Sequence, residues 1–224
     1  MEIFLATGNL HKKHEMEMLC TPHTITIPKD IGIKFDPDET GSTFFENSLI
    51  KAEGLWKIVK KPVIADDSGI CVDALDGKPG IYSARYCGRK FLNSSKNEIE
   101  DGHNLSQLEQ NSLLIEDVNL TLQEKGLDVN NPENRKCRYV CTIVLYLEKD
   151  RFLCAQETFE GILLKNIEES KGINGFGYDP IVFLPEYNKT IAELSEEEKN
   201  KISHRGKAVK EVMAAFEKIS NQFL

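Results

Sequence analysis

Ile3-Phe4-Leu5-Ala6-Thr7-Gly8-Asn9-Leu10-His11-Lys12 is the stretch on which the fold turns. Residues 3–6 form a short apolar run that reads as a buried strand. Thr7-Gly8-Asn9 breaks the run, and residues 11–19 have the pattern of a helix. Strand, glycine-containing turn and helix, in that order, open an α/β fold.

The rest of the chain continues that reading. Residues 24–27 alternate as a second strand. Ser42 or Thr43 can cap a helix in which Glu46 stands at the capping-box position for Thr43. Leu49, Ala52, Leu55, Trp56 and Val59 form its apolar stripe, and Pro62 ends it. A short buried strand at 63–65 runs into Asp66-Asp67-Ser68-Gly69, and residues 70–74 continue extended. Asp76-Gly77 and Pro79-Gly80 are turn signals. Residues 88–136 are polar and rich in Asn, with a helical pattern around Leu105, Leu108, Leu113 and Leu114 and a loop at Asn130-Asn131-Pro132. Residues 139–147 and 152–164 predict a β-hairpin turning at 148–150. Residues 181–184 predict a further strand, and residues 207–219 a closing amphipathic helix. There is no internal repeat. The expected class is α/β with a mixed sheet.

Composition narrows the function. The chain has 224 residues, 40% of them hydrophobic, enough for a sizeable core. A formal charge of −8 argues against a general nucleic-acid binder, which would present a basic face. It leaves a nucleotide substrate open, because acidic residues can hold Mg²⁺ and the metal then neutralises phosphates. The six cysteines form no C-x-x-C pair, so they are expected to be buried, reduced thiols; Cys137 and Cys141 fall on one face of a strand. The N-terminus lacks the pattern of a signal peptide, and no segment approaches the roughly 20 apolar residues of a membrane span. A cytoplasmic protein with no membrane or nucleic-acid partner is the expectation.

Five segments could carry chemistry. The turn Thr7-Gly8-Asn9-x-x-Lys12 offers backbone N–H groups, a helix dipole and a cation to an anion, though taken alone a capped turn is the more ordinary explanation. Asp66 and Asp67 are adjacent carboxylates at the end of an apolar strand, where a divalent cation would relieve their repulsion. A strand-end turn is the alternative reading. Asp36, Asp38, Glu39 and Glu46 could complete such a metal site, or could be solvated and capping charges. Gly175-Phe176-Gly177-Tyr178-Asp179-Pro180 could stack on and read a base, or simply turn with its aromatics in the core. Lys199, His204 and Arg205 could grip a phosphate or an oxo-purine, or could make an exposed polar helix start.

Taken together, these segments resemble the inosine triphosphate pyrophosphatase family. The matching stretches are Ala6-Thr7-Gly8-Asn9-x-x-Lys12, Glu39-Thr40-Gly41-x-Thr43-Phe44-x-Glu46-Asn47-x-x-x-Lys51-Ala52 and Ala65-Asp66-Asp67-Ser68-Gly69. Val72-Asp73-Ala74-Leu75, Pro79-Gly80-Ile81-Tyr82-Ser83-Ala84-Arg85-Tyr86, the 175–180 segment and Ser203-His204-Arg205 extend the match over nearly the whole chain. The resemblance implies an elongated two-lobed α/β mixed-sheet fold with a central cleft. It implies a single domain spanning 1–224, assembled as a homodimer. It further implies Mg²⁺-dependent hydrolysis of ITP, dITP or XTP to the monophosphate and pyrophosphate, which cleanses the nucleotide pool.

Carried over by position, Asp67 would be general base and metal ligand, Glu39 the second metal carboxylate, and Asp66 and Glu46 supports for metal or water. Thr7, Gly8, Asn9 and Lys12 would hold the triphosphate, and Ser68 and Lys199 would contact substrate. Phe176, Gly177, Tyr178 and Asp179 would enclose and read the base with His204 and Arg205. Two departures stand out: an expected insertion near residues 93–110, and His11 where the family often has Gly. A nucleotide-binding module without catalysis and a pyrimidine-specific pyrophosphatase are the rival readings.

Overall fold

The computed structural model describes residues 1–88 and 105–220. Much of the expected insertion, residues 93–104, therefore lies outside the described residues. The helices are α1 (Leu10–Leu19), α2 (Phe44–Val59), α3 (Gln107–Glu124), α4 (Glu196–Ile202) and α5 (His204–Ser220). The strands are β1 (Glu2–Leu5), β2 (Thr24–Thr26), β3 (Val63–Val72), β4 (Lys78–Pro79), β5 (Lys136–Glu148), β6 (Arg151–Leu163), β7 (Val182–Leu184) and β8 (Lys189–Thr190). They form an open mixed sheet in the order β2-β1-β3-β5-β6-β7-β8, with β4 on β3. The chain divides into two compact units: Met1–Ser68 with Cys141–Glu157 and Asn200–Leu224, and Gly69–Val140 with Thr158–Lys199.

In the first unit β1 runs parallel to both β2 and β3, with Phe4 opposite Val63 and Leu5 opposite Ile64. Period-two alternation sends neighbouring side chains to opposite faces. Ile3, Leu5 and Ile64 pack with Met16 of α1 and with Ala208, Val209 and Val212 of α5. Phe4, Ala6, Val63 and Ala65 pack on the other face against Ala52 and Leu55 of α2. The predicted apolar stripe of α2 thus has its partner, and Thr43 caps that helix by accepting from the Glu46 N–H at 3.1 Å.

In the second unit β4 closes antiparallel on the end of β3, and β6, β7 and β8 form an antiparallel meander. The helix expected around Leu105 to Leu114 is α3. Its start is fixed by a capping box that the sequence carries as Ser106-x-x-Glu109, with both Ser106 N–H and Oγ–H donating to Glu109 at 2.7 Å. Buried Arg135 donates to the carbonyls of Leu163 and Leu164 at 2.8 and 2.6 Å and to Asn119 at 2.6 Å, so its charge is met by backbone dipoles.

Two expectations need correction. The segment Asp66-Asp67-Ser68-Gly69 is not a turn at a strand end; it lies inside the 10-residue β3. The strand tolerates two buried carboxylates because each meets a cation from a neighbouring helix. The cysteines are all free, but Cys154 is exposed and Cys87 only partly covered, whereas Cys20, Cys71, Cys137 and Cys141 are buried.

Candidate active site

Because Asp66 and Asp67 are consecutive in one strand, they project to opposite faces of the sheet. They do not share a site. Asp66 faces α1 and α5, where Lys12 approaches its Oδ2 at 3.0 Å. Arg205 donates to the same oxygen through Nε at 3.2 Å and Nη2 at 3.1 Å, while Ser68 Oγ donates at 3.3 Å. Arg205 also donates to Ser68 Oγ at 3.0 Å and to the Glu15 carboxylate. Burial acts to raise the Asp66 pKa, but the nearby charges of Lys12 and Arg205 win and hold it well below the usual carboxylate range. Burial likewise opposes the Arg205 charge, and Asp66 and Glu15 reverse that and push its pKa up.

Asp67 faces α2. Lys51 donates to its Oδ1 at 2.8 Å and lies 3.1 Å from Glu39 Oε1, so one ammonium bridges the two carboxylates. Asn47 donates to Oδ2 at 3.4 Å. Burial raises the Asp67 pKa, and the Lys51 charge offsets only part of that rise. Burial acts to lower the Lys51 pKa, but Asp67, Asp66 and Glu39 together raise it. Of the acidic candidates in the preceding loop, Glu39 meets Lys51, while the Asp38 backbone carbonyl accepts from Thr40 N–H.

The donor set around Lys51 is all carboxylate oxygen, which suits a hard divalent cation. Among the described residues there is no ready cage of three or more His, Cys, Asp or Glu. Mg²⁺ needs less, since it keeps waters and takes one or two carboxylates plus substrate phosphates. Two carboxylates against one ammonium leave room for that charge, so the residues fit.

The remaining first-unit candidates take more modest positions. Asn9 caps α1, its Oδ1 accepting from the N–H groups of His11 at 2.9 Å and Lys12 at 3.3 Å, and Thr7 Oγ1 accepts from Asn9 N–H at 3.1 Å. Part of the anion-binding potential of that turn is therefore met by its own side chains. Glu46 is exposed and accepts from Ser42 N–H and Oγ–H at 2.6 and 2.7 Å. These contacts make it a capping group of α2. The expected exposed helix start at His204 and Arg205 is instead buried. A guanidinium can be buried there because two carboxylates receive it.

In the second unit the 175–180 loop is organised around Asp179, which is only 2% exposed. Its Oδ2 accepts from Phe176 N–H and from Lys199 Nζ, both at 2.9 Å. The Lys199 ammonium also lies 4.8 Å from the Phe176 ring centroid. Gly175 has φ +78°, and a Cβ there would meet Asp179 Oδ2 at 2.1 Å, so only glycine lets the carboxylate close the loop. Tyr178 is buried, with its hydroxyl donating to Ser83 carbonyl at 2.8 Å, and Asn111 of α3 reaches the Gly177 carbonyl at 3.4 Å.

Sequence reasoning assigned no role to Asn47, Lys51 or Glu15. Asn47 and Lys51 lie four apart on α2, beside Ser48, Ala52 and Leu55 on its buried face. A lysine and an asparagine on an apolar stripe are a signal of internal charge pairing. Glu15 lies three after Lys12, on one side of α1.

These elements have known counterparts. The Ham1 family profile matches residues 3–215. A dITP/XTP pyrophosphatase of Treponema denticola is 48% identical over 209 residues, covering 93% of this chain and 95% of that one. One from Legionella pneumophila strain Paris is 41% identical over 216 residues, covering 95% and 97%. The solved structure of a HAM1 protein from Coxiella burnetii matches with a TM-score of 0.78 at 32% identity, over 97% of this chain and 99% of that chain. A family profile over nearly the whole sequence, relatives of such identity and a shared fold lead to one conclusion: the chain belongs to the Ham1 family.

Proposed function

We propose that this chain is a nucleoside triphosphate pyrophosphatase that converts dITP, XTP and ITP to the monophosphate and pyrophosphate. In this reading it uses Mg²⁺ and acts as a cytoplasmic homodimer, with residues 1–224 working as one functional domain. The observation that carries the reading is the pair Asp67 and Glu39 on a single ammonium, with the excess negative charge on that face. The names of the relatives supply the substrate class.

Hydrolysis between the α- and β-phosphates needs an aligned water and neutralised oxygens; positioning and electrostatics supply most of the rate. Mg²⁺, when bound at Glu39 and Asp67, would supply positive charge to the phosphate oxygens. Asp67 accepts the proton of the attacking water. Lys12 and the N–H groups of the Thr7-Gly8-Asn9 turn hold phosphate, and Ser68 and Lys199 contact substrate. The 176–179 residues take the base, with His204 and Arg205 assigned to its recognition. A donor toward a 6-oxo group would be left facing the amino hydrogens of adenine, a mismatch worth about 1–3 kcal/mol.

The test is a panel of ITP, dITP, XTP, GTP, ATP and dUTP with Mg²⁺, scored by separating the products. Pyrophosphate and monophosphate from the 6-oxo purines lacking a 2-amino group, well ahead of ATP, is the expected result. A nucleoside diphosphate as first product, a dUTP preference, or tight binding without turnover would overturn it.

A further inference from the structure

We propose that Asn47 is a positioning residue for hydrolysis: its amide clamps the loop carrying Glu39 to α2 and, from its other end, fixes Oδ2 of Asp67. The inference rests on the reading of Asp67 as the base.

Asn47 is 0% exposed. An amide so placed must find partners for both its ends. Its Oδ1 accepts from Gly41 N–H at 2.9 Å. A backbone N–H can only donate, so the oxygen must face Gly41, and the Nδ2 group is thereby directed to Asp67 Oδ2. The other carboxylate oxygen of Asp67 belongs to Lys51 at 2.8 Å. Each oxygen of the base therefore has its own donor, and the two donors sit at i and i+4 of one helix. Packing enforces the arrangement, since a Cβ on Gly41 would lie 2.6 Å from Asn47 Oδ1 and 2.9 Å from Asn47 N. Gly41 is two residues beyond Glu39, whose carboxylate returns to Lys51 at 3.1 Å. Gly41, Asn47, Asp67, Lys51 and Glu39 thus close a ring that sets the spacing of the two carboxylates. Loss of about 1 Å in such alignment can cost on the order of a hundredfold in rate.

Two substitutions separate this role from simple support of the loop. Asn47→Asp keeps an acceptor for Gly41 N–H and nearly the same volume but loses the donor toward Asp67. Asn47→Ala loses both. With ITP and Mg²⁺, kcat is expected to fall about tenfold or more in each, with KM within about threefold. Hydrogen exchange at the Gly41 amide, read on the protein alone, should stay slow in Asn47→Asp and speed up about tenfold or more in Asn47→Ala. Near-normal kcat in Asn47→Asp or Asn47→Ala, while Asp67→Asn is inactive, overturns the proposal alone. Unchanged Gly41 exchange in Asn47→Ala does the same. Retained turnover in Asp67→Asn overturns the reading of the base and this proposal with it. If Asn47→Asp does not fold, the kcat and exchange of Asn47→Ala decide the matter.

Discussion

The two faces of β3 treat adjacent carboxylates in opposite ways. On the α1/α5 face, Asp66 and Glu15 meet Lys12 and Arg205, two negative charges against two positive, and Arg205 is sealed from solvent. On the α2 face, Asp67 and Glu39 share Lys51, and the Glu39 side chain keeps 35% exposure. Counted over these direct ion pairs, the first group is balanced and the second carries one negative charge in excess. A buried network whose charges are paired adds stability to the fold besides whatever its groups bind, whereas an unbalanced pair near solvent has charge to spare for a cation. The difference follows from strand geometry, which turns two neighbours in sequence into occupants of separate environments.

The balanced group should show the larger stability effect. Asp66→Ala leaves Arg205 and Lys12 facing a gap and should cost about 3–5 kcal/mol in urea unfolding. A double-mutant cycle with Arg205→Met should give a coupling of about 0.5–3 kcal/mol, and strict additivity would show that the pair is not a unit. The pH dependence has a definite sign. The folded pKa of Asp66 is depressed, so its contribution is present above the unfolded value of about 3.9 and is lost as pH falls through the folded one. Asp66→Asn should therefore flatten the acid side of the stability curve, and a curve of unchanged slope would deny the linkage.

The unbalanced group should show its effect in rate. Asp67→Asn is expected to lower kcat for ITP by at least about a hundredfold while the fold is kept, measured by pyrophosphate release and circular dichroism. Near-normal turnover would remove Asp67 from the chemistry. The smallest effect is expected at Glu46, which lies outside both charge groups. Glu46→Ala should lower the melting temperature slightly by loosening the α2 cap and leave kcat where it was. A fall in kcat of about tenfold or more would bring Glu46 back into the reaction.

The sequence carried most of the elements because their signals are local. The cap at Thr43, the stripe on α2, the strand–turn–helix at the N-terminus and the hairpin turn near 148–150 all depend on neighbours within a few positions. The capping box at Ser106 was equally local, and it sat unread in a polar, Asn-rich stretch. β3 was read as broken because two adjacent charges look like a turn until their partners are known. Once the strand is continuous, alternation alone assigns the aspartates to opposite faces. What no local pattern could supply was the identity of each carboxylate's partners: Lys12 and Arg205, the latter shared with Glu15, for Asp66, and Lys51, shared with Glu39, together with the Asn47 amide for Asp67. A buried charge is stabilised by whichever group the folded chain brings within hydrogen-bond reach, and that distance is a property of the packed helices. The motifs and the alternation were thus determined by sequence, while tertiary structure decided which carboxylate was neutralised and which was left with charge to spare.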